Sequence, residues 1–460
     1  MLSLLDIAER TQKGPKMDEN AWNMGLFRKM NELTEKYQLV YPDDGSFFNM
    51  DDDLADRAFQ AGIELLVDTG VYCISTGRVI RFSRQEVMDA IRAMPAEVRV
   101  GEGKDARVLK KRRLGEREAL NFRSGHHAPW SEEFAPLVIK NFAQIPSCDY
   151  LEGINFAVVD GREIHGMPME VYAARREAAW LREGVRKAGR PGLAIAYYPI
   201  STRAPVMIAP IDQEAGLRST DGVLLSVLPD MKVEQDYVAA AIVYEERGCY
   251  KVNGGGGGFV GGFAGGLGGG IIGGVARPIV GFLVYRDEIS YAGVGRMQAT
   301  VPGAKMRFDP GMCWGVSVVC QALNRNTNIV YFGGSVGAAD PGSGTETRLW
   351  SLVGNMAAPI NGGNLSGPRQ HRAQMNASQN PLEAEWLYEV ATASMRSGID
   401  RAMASDLLRK LNERLEGRVA EETVHITQCY DLVNHKPLPD YEKTYLKVKE
   451  EVARLGLDFR

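Results

Sequence analysis

Disulfide and metal-cluster patterns are missing from this chain. Its six cysteines (Cys73, Cys148, Cys249, Cys313, Cys320 and Cys429) contain no CxxC, and only Cys313 and Cys320 lie within ten residues of each other. Such spacing excludes a disulfide scaffold and the usual zinc and iron–sulfur frameworks, and it fits a reducing, cytoplasmic setting. Excess charge of either sign is missing too. The 54 Lys and Arg face 58 Asp and Glu, a formal net charge of −4, so there is no basic field for nucleic acid. The first twenty residues hold only a short apolar patch broken by Asp6, without the basic segment and long apolar core of a signal peptide. A hydrophobic content of 45% excludes global disorder.

Glycine, by contrast, is abundant: 51 residues, 14 of them between Gly254 and Gly274 in NGGGGGFVGGFAGGLGGGIIGGVA. This uncharged stretch has the length of a membrane span. Its few large apolar residues and the cost of glycine in a helix, about 1 kcal/mol each relative to alanine, argue against one. Close approach of the backbone to a bulky partner, or a flexible lid, are the remaining readings.

Residues 1–118 read as an α+β cap. Asp18 caps a helix carrying Trp22, Leu26, Met30 and Leu33, and a second helix over Asp52–Thr69 stops at Gly70. Hairpins are expected over Val71–Phe82 and Val98–Arg112, with a Ser83-to-Glu86 capping box between them. From about Ala119, short apolar strands alternate with helices. Strands are expected at Ala119–Ser124, Tyr150–Asn155, Gly192–Pro199, Gly222–Leu228, Cys249–Asn253, Tyr291–Gln298, Ile329–Gly333 and Ile360–Leu365. Helices include Pro168–Ala188, Val233–Glu246, Gly273–Tyr285, Gly311–Arg325 and Thr345–Met356. Eight such units over residues 119–380 are the arithmetic of a (β/α)8 TIM barrel, and no GxGxxG fingerprint favours a doubly wound sheet. Residues 381–460 return to helices and read as an extension packed on the barrel.

A barrel active site lies at the carboxyl ends of its strands. That placement nominates Asn155, Tyr197, Asn253, Gln298, Tyr331, Ser335 and His371 as substrate-binding residues. The mouth so composed is rich in amides and aromatics and poor in acids. Aromatic faces suit an alkylated ammonium group. The adjacent His126 and His127 point to opposite sides of an extended chain and lack an HxH or HxxxH partner, so no metal site is expected. No Ser/His/Asp or Cys/His set can be assembled from spacing.

Four segments carry a resemblance: Ala61–Phe82, Ala188–Leu193, Val260–Gly266 and Tyr441–Phe459. Through them the chain resembles, end to end, the monomethylamine:corrinoid methyltransferases. The resemblance implies a (β/α)8 barrel and a cytoplasmic homo-oligomer. It implies transfer of a methyl group from an amine to the cob(I)alamin of a separate corrinoid protein docked over the mouth, with no corrinoid tightly bound to this chain. Family members working on methylamine carry pyrrolysine, and alignment of Asp230–Glu234 puts Met231 there, where a thioether lines the pocket but forms no adduct. The family's acidic pair falls on Gly268 and Gly269, and its Gln and Tyr fall around Gly334 and Ser335. A non-pyrrolysine methyltransferase for a quaternary ammonium or other non-monomethylamine donor is therefore expected. The alternative is a barrel that has lost methyl transfer and binds a small molecule or runs a lyase-type reaction. Gly262, Gly266, Gly270 and Gly274 recur every fourth residue. As a helix they share a bare face, expected to form a rim toward the corrinoid.

Overall fold

The computed structural model describes residues 2–118, 120–125, 130–212, 214, 216–255, 257–296, 303–338, 342–368 and 379–460. Eight parallel strands form one sheet: β1 Phe122–Gly125, β2 Tyr150–Glu152, β3 Ala194–Tyr197, β4 Gly222–Leu225, β5 Tyr250–Asn253, β6 Ile289–Ala292, β7 Val330–Gly333 and β8 Leu365–Ser366. Neighbours pair in chain order from β1 to β7, and β8 pairs with β1. A parallel bridge between Phe332 and Asn364 brings β7 to β8 and closes the ring. The protein is a (β/α)8 barrel. Helices Ala135–Ala143, Gly166–Lys187, Gln235–Glu246, Leu267–Tyr285 and Pro310–Asn326 surround it, with shorter ones at Ala204–Ile208 and Glu346–Leu352.

Alternation along each strand divides the side chains between two cores. Tyr150, Ala194, Ala196, Leu224, Tyr250, Val252, Ile289, Val330 and Phe332 fill the barrel interior together with Val98, Val100 and Leu109. Those last three come from the hairpin of Glu97–Val100 and Arg107–Lys110, which plugs the amino end of the barrel. Its tip is fixed there because Gly101 N–H donates to Thr220 O and Glu102 N–H to Gly192 O, just before β4 and β3. The intervening residues Phe122, Leu151, Ile195, Tyr197, Val223 and Tyr331 face outward into a core shared with the helices, the cap and the carboxyl-terminal extension.

The cap forms as its local signals dictate. Asp18 Oδ1 accepts from Ala21 N–H at 3.0 Å to start Glu19–Lys36, and Gly70, at φ +73°, ends Asp52–Thr69. The Ser83–Glu86 capping box opens Arg84–Ala93. Strand Val71–Cys73 pairs not only with Arg78–Ile80 but also, in parallel, with Lys232–Val233 beyond β4, which ties the cap to the barrel.

Three expected elements differ. Most of the strand expected over Ile360–Leu365 is absent, because Ile360 ends the short Ala357–Ile360 helix and Gly362, at φ +71°, turns the chain, leaving strand only at Leu365–Ser366. The stretch read as one strand from Tyr291 to Gln298 breaks at Gly293, whose φ of +144° suits glycine alone. Beyond it, Val294–Arg296 leaves the barrel and pairs with Gly258–Val260. The helix expected from Gly273 starts at Leu267, so the second half of the glycine tract is helical. That helix is long and apolar enough to cross a membrane, yet its side chains are buried inside the fold.

Candidate active site

A cleft of about 310 Å³ opens at the carboxyl ends of β5 to β8. Gly254, Gly255, Gly257, Gly258 and Phe259 form one wall, and Tyr291 to Gly295 form another. Phe332 to Ser335 and Ser366 close it. Among the described residues the walls are mainly backbone and three aromatic rings, with the hydroxyls of Tyr291, Ser335 and Ser366 as the side-chain polar groups of the lining.

Beneath this lining lies a charged floor. Arg123 of β1 and Glu152 of β2 are fully buried and form an ion pair. The Arg123 guanidinium also donates to Ser366 Oγ, and its Cζ lies 5.5 Å from the centroid of the Tyr291 ring. Two of the cleft's lining residues thus rest directly on Arg123. Burial holds the neighbouring Tyr150 hydroxyl well above its ordinary pKa, so it stays protonated, and Tyr291 beside it adds to the effect.

A second buried guanidinium sits behind the glycine wall. Arg277, in the middle of the Leu267–Tyr285 helix, is 1% exposed. It donates to Gly257 O after β5 and to Val227 O after β4, and its Cζ lies 5.4 Å from the centroid of the Phe259 ring. Among the described residues no carboxylate comes within ion-pairing distance, and its Nε–H has no hydrogen-bond partner. Burial lowers its pKa to about 9, an effect that the more distant Asp230 only partly offsets.

The structure brings few of the residues nominated from sequence into the cleft. Ser335 lines it. Asn155 bridges loops instead, its Nδ2 donating to Tyr198 O at 2.9 Å. Tyr197 points away from the axis, its hydroxyl donating to the fully buried Glu177 at 3.0 Å, while Tyr198 packs against the interior cluster. Asn253 likewise faces outward, donating to Arg277 O at 3.0 Å. The Tyr331 hydroxyl donates to Asn361 O behind β7. Each of these three sits on the outward parity of its strand, which position at a strand end does not reveal. Gln298 and His371 lie outside the described residues, as do His126 and His127.

Met231 is displaced most. It is fully buried with φ +56°, its carbonyl accepts from Tyr72 N–H, and the neighbouring Asp230 carbonyl accepts from Trp22 Nε1–H at 3.1 Å. It packs where the cap meets the barrel and does not line the cleft.

The glycines need correction as well. A Cβ on Gly262 or Gly266 would meet nothing within 4 Å, so the backbone at these two is open, although neither lines the cleft. Gly270 does not. A Cβ there would press on Val260 Cγ2 and Phe259 O at 3.0 and 3.2 Å, and one on Gly274 on Gly293 O at 2.9 Å. The bare helical face is turned inward, against the protein's own strand Gly258–Val260. Gly268 and Gly269 face Thr34, Leu39 O and Ala264 O rather than the cleft.

Sequence reasoning missed Glu152 and Arg277. Glu152 was legible from parity, because it shares a face with Tyr150, but extending the strand to Asn155 hid it. Arg277 is the lone charge in the apolar and glycine run from Gly254 to Tyr285, a signal in itself.

A closed eight-stranded parallel barrel with an aromatic cleft at its carboxyl end defines a (β/α)8-barrel enzyme. The model of the monomethylamine methyltransferase MtmB family matches residues 2–457, and the chain belongs to that family. It is 27% identical to the monomethylamine methyltransferase MtmB2 of Methanosarcina acetivorans and to MtmB of Methanosarcina mazei, each over 99% of this chain and 98% of the relative. The crystal structure of Methanosarcina barkeri monomethylamine methyltransferase shares the fold with a TM-score of 0.88 at 24% identity, covering 99% and 98% of the two chains.

Proposed function

We propose that this chain is a methyltransferase that passes a methyl group from a quaternary ammonium compound, or another donor than monomethylamine, to a corrinoid held by a partner protein. The observation that carries the donor class is the cleft itself. Phe259, Tyr291 and Phe332 surround a space of about 310 Å³ whose lining, among the described residues, has no lysine, histidine or carboxylate. Aromatic faces hold alkylated ammonium groups by their quadrupoles. Monomethylamine, small and able to donate hydrogen bonds, would find few acceptors here. All 460 residues are of the twenty standard types, so no pyrrolysine is present for covalent capture, whatever position Met231 occupies.

A methyl group on a positive nitrogen is already activated. Its carbon–nitrogen bond breaks with the electron pair staying on nitrogen, so the leaving tertiary amine needs no proton and the chain needs no general acid. The work left to the protein is to aim the methyl outward, keep water from the cleft and hold the ammonium while its charge disappears. The corrinoid, when its carrier docks, supplies the methyl-accepting nucleophile. The open backbone at Gly262 and Gly266 supports this reading, since a rim built there would leave room for such a flat group.

The test mixes this protein, a corrinoid protein reduced to Co(I) and a panel of quaternary ammonium donors, with monomethylamine as the comparison. Loss of the Co(I) absorption with a quaternary donor and not with monomethylamine is the expected result. Turnover with monomethylamine alone, or with no N-, O- or S-methyl donor, overturns the proposal.

A further inference from the structure

Arg277 is an expensive residue for this location. Removing a guanidinium from water costs several kcal/mol unless an opposite charge answers it. Several other buried cations of this protein have such an answer: Arg123 pairs with Glu152, Arg182 with Asp221, and Lys251 with Glu245 and Glu288, whereas the buried Arg286, outside the cleft, shares with Arg277 the lack of an ion pair among the described residues. Arg277 has only two backbone carbonyls, those of Gly257 and Val227, and its Nε–H is left over. A loop staple needs two donors, not a permanent charge.

Its surroundings point toward the cleft. Gly257 and Phe259, which it touches, line the cleft, and so does Gly255, where a Cβ would stand 2.8 Å from Arg277 Nη2. The absence of side chains at these glycines leaves backbone alone between the guanidinium and the cavity. Among the described residues, with Arg123 and Glu152 cancelling each other below, Arg277 leaves the surroundings of the cleft with a positive charge. A ligand that is only a cation would be repelled by it at short range.

We infer that Arg277 is the counter-charge for an anionic group, a carboxylate or phosphate, on the ligand that occupies the cleft. In the carboxylate case the methyl donor is a zwitterion, with its ammonium among the aromatic rings and its carboxylate turned to the glycine wall. This rests on the proposed methyl transfer only for the word donor; the anion site stands on the geometry of Arg277.

The experiment is calorimetric titration of the whole protein, without corrinoid, at low ionic strength. The probes are N,N,N-trimethylglycine, choline, tetramethylammonium and inorganic phosphate. N,N,N-trimethylglycine should bind roughly tenfold more tightly than choline, a preference typical of one well-placed charge. Arg277→Gln should collapse that preference, and Arg277→Lys should restore part of it. Should Arg277→Gln fail to fold, Arg277→Lys carries the test, and its preference should fall below the parent's while the circular dichroism stays that of the parent. Phosphate binding that depends equally on Arg277 assigns the anion to a phosphate, from the corrinoid or its carrier, and leaves the inference standing. Choline or tetramethylammonium binding as tightly as N,N,N-trimethylglycine, a preference that survives Arg277→Gln, or no anion binding at all overturns it. The two proposals fail separately. Methyl transfer from choline alone sinks the anion site, whereas Arg277-dependent anion binding without loss of the Co(I) spectrum sinks methyl transfer.

Discussion

Single residues in this protein carry electrostatic costs that can be read by titration. Asp287, between the Leu267–Tyr285 helix and β6, is buried, and neither of its carboxylate oxygens receives a hydrogen bond among the described residues. Burial, reinforced by Glu288, raises its pKa well above the ordinary 3.8. A carboxyl raised on folding contributes its stability below the unfolded pKa and loses it as pH rises toward the folded value, because folding must then take up a proton. Asp287→Asn should therefore melt close to the parent at pH 4 and above it at pH 8. The gap should grow by at most about 1.4 kcal/mol per pH unit, as followed by thermal unfolding across that range. The Arg123–Glu152 pair predicts the opposite sign. Glu152→Gln strands a buried guanidinium and should cost about 3–5 kcal/mol in urea unfolding, while adding Arg123→Met should recover most of the loss. What was hidden in the sequence at this scale is parity. Tyr197, Asn253 and Tyr331 have the chemistry of binding residues and the position of a strand end, and one residue of register sends them to the outer core. Glu152, with the same positional claim as Asn155, points in.

Among the elements, most of the eight strands were legible because short runs with apolar residues stand between helix caps, and caps act locally; the eighth was misplaced because the apolar Ile360 ends a helix instead. The break at Gly293 was not legible, since a strand that continues and one that leaves the barrel share one pattern of alternation. The glycine tract shows the same limit. Spacing of four located a bare helical face, but the identity of the surface covering it depends on packing from Gly258–Val260, a strand too short and too glycine-rich to stand out. Substitutions should separate the two kinds of glycine. A Cβ on Gly258 would meet Gly270 O at 1.8 Å, so Gly258→Ala should destabilise by about 1–3 kcal/mol, an overpacking penalty. Gly266→Ala, in open space at φ −76°, should change unfolding by less than about 0.5 kcal/mol. Any effect of Gly266 substitutions on methyl transfer then reports the rim alone.

For the molecule as a whole, division into residues 1–118, 119–380 and 381–460 describes sequence style more than mechanical independence. One buried apolar cluster runs from Leu4 through the outer faces of the barrel strands to Leu457. Trp386 stacks on Phe459 at the carboxyl end, and Lys232–Val233 of the barrel completes the cap's sheet. Denaturant unfolding of the full chain should accordingly be a single transition by both tryptophan fluorescence and circular dichroism, and residues 119–380 expressed alone should aggregate. Two separated transitions would instead give the cap or the extension a stability of its own.

The inward-facing glycines of the Leu267–Tyr285 helix bear on the order in which this chain folds. Six glycines within one helix forfeit about 1 kcal/mol each of helix propensity relative to alanine, and each surrenders more backbone freedom than any other residue on becoming ordered. Alone, that segment is a poor helix. It becomes one only when Gly258–Val260 and the cap's Glu19–Lys36 helix are in place to occupy its bare faces, as Thr34 does against Gly268 and Met30 against Gly273. The wall of the cleft should thus be among the last parts of the molecule to form, with the amides of Leu267–Tyr285 gaining protection from hydrogen exchange later in refolding than those of the cap helices.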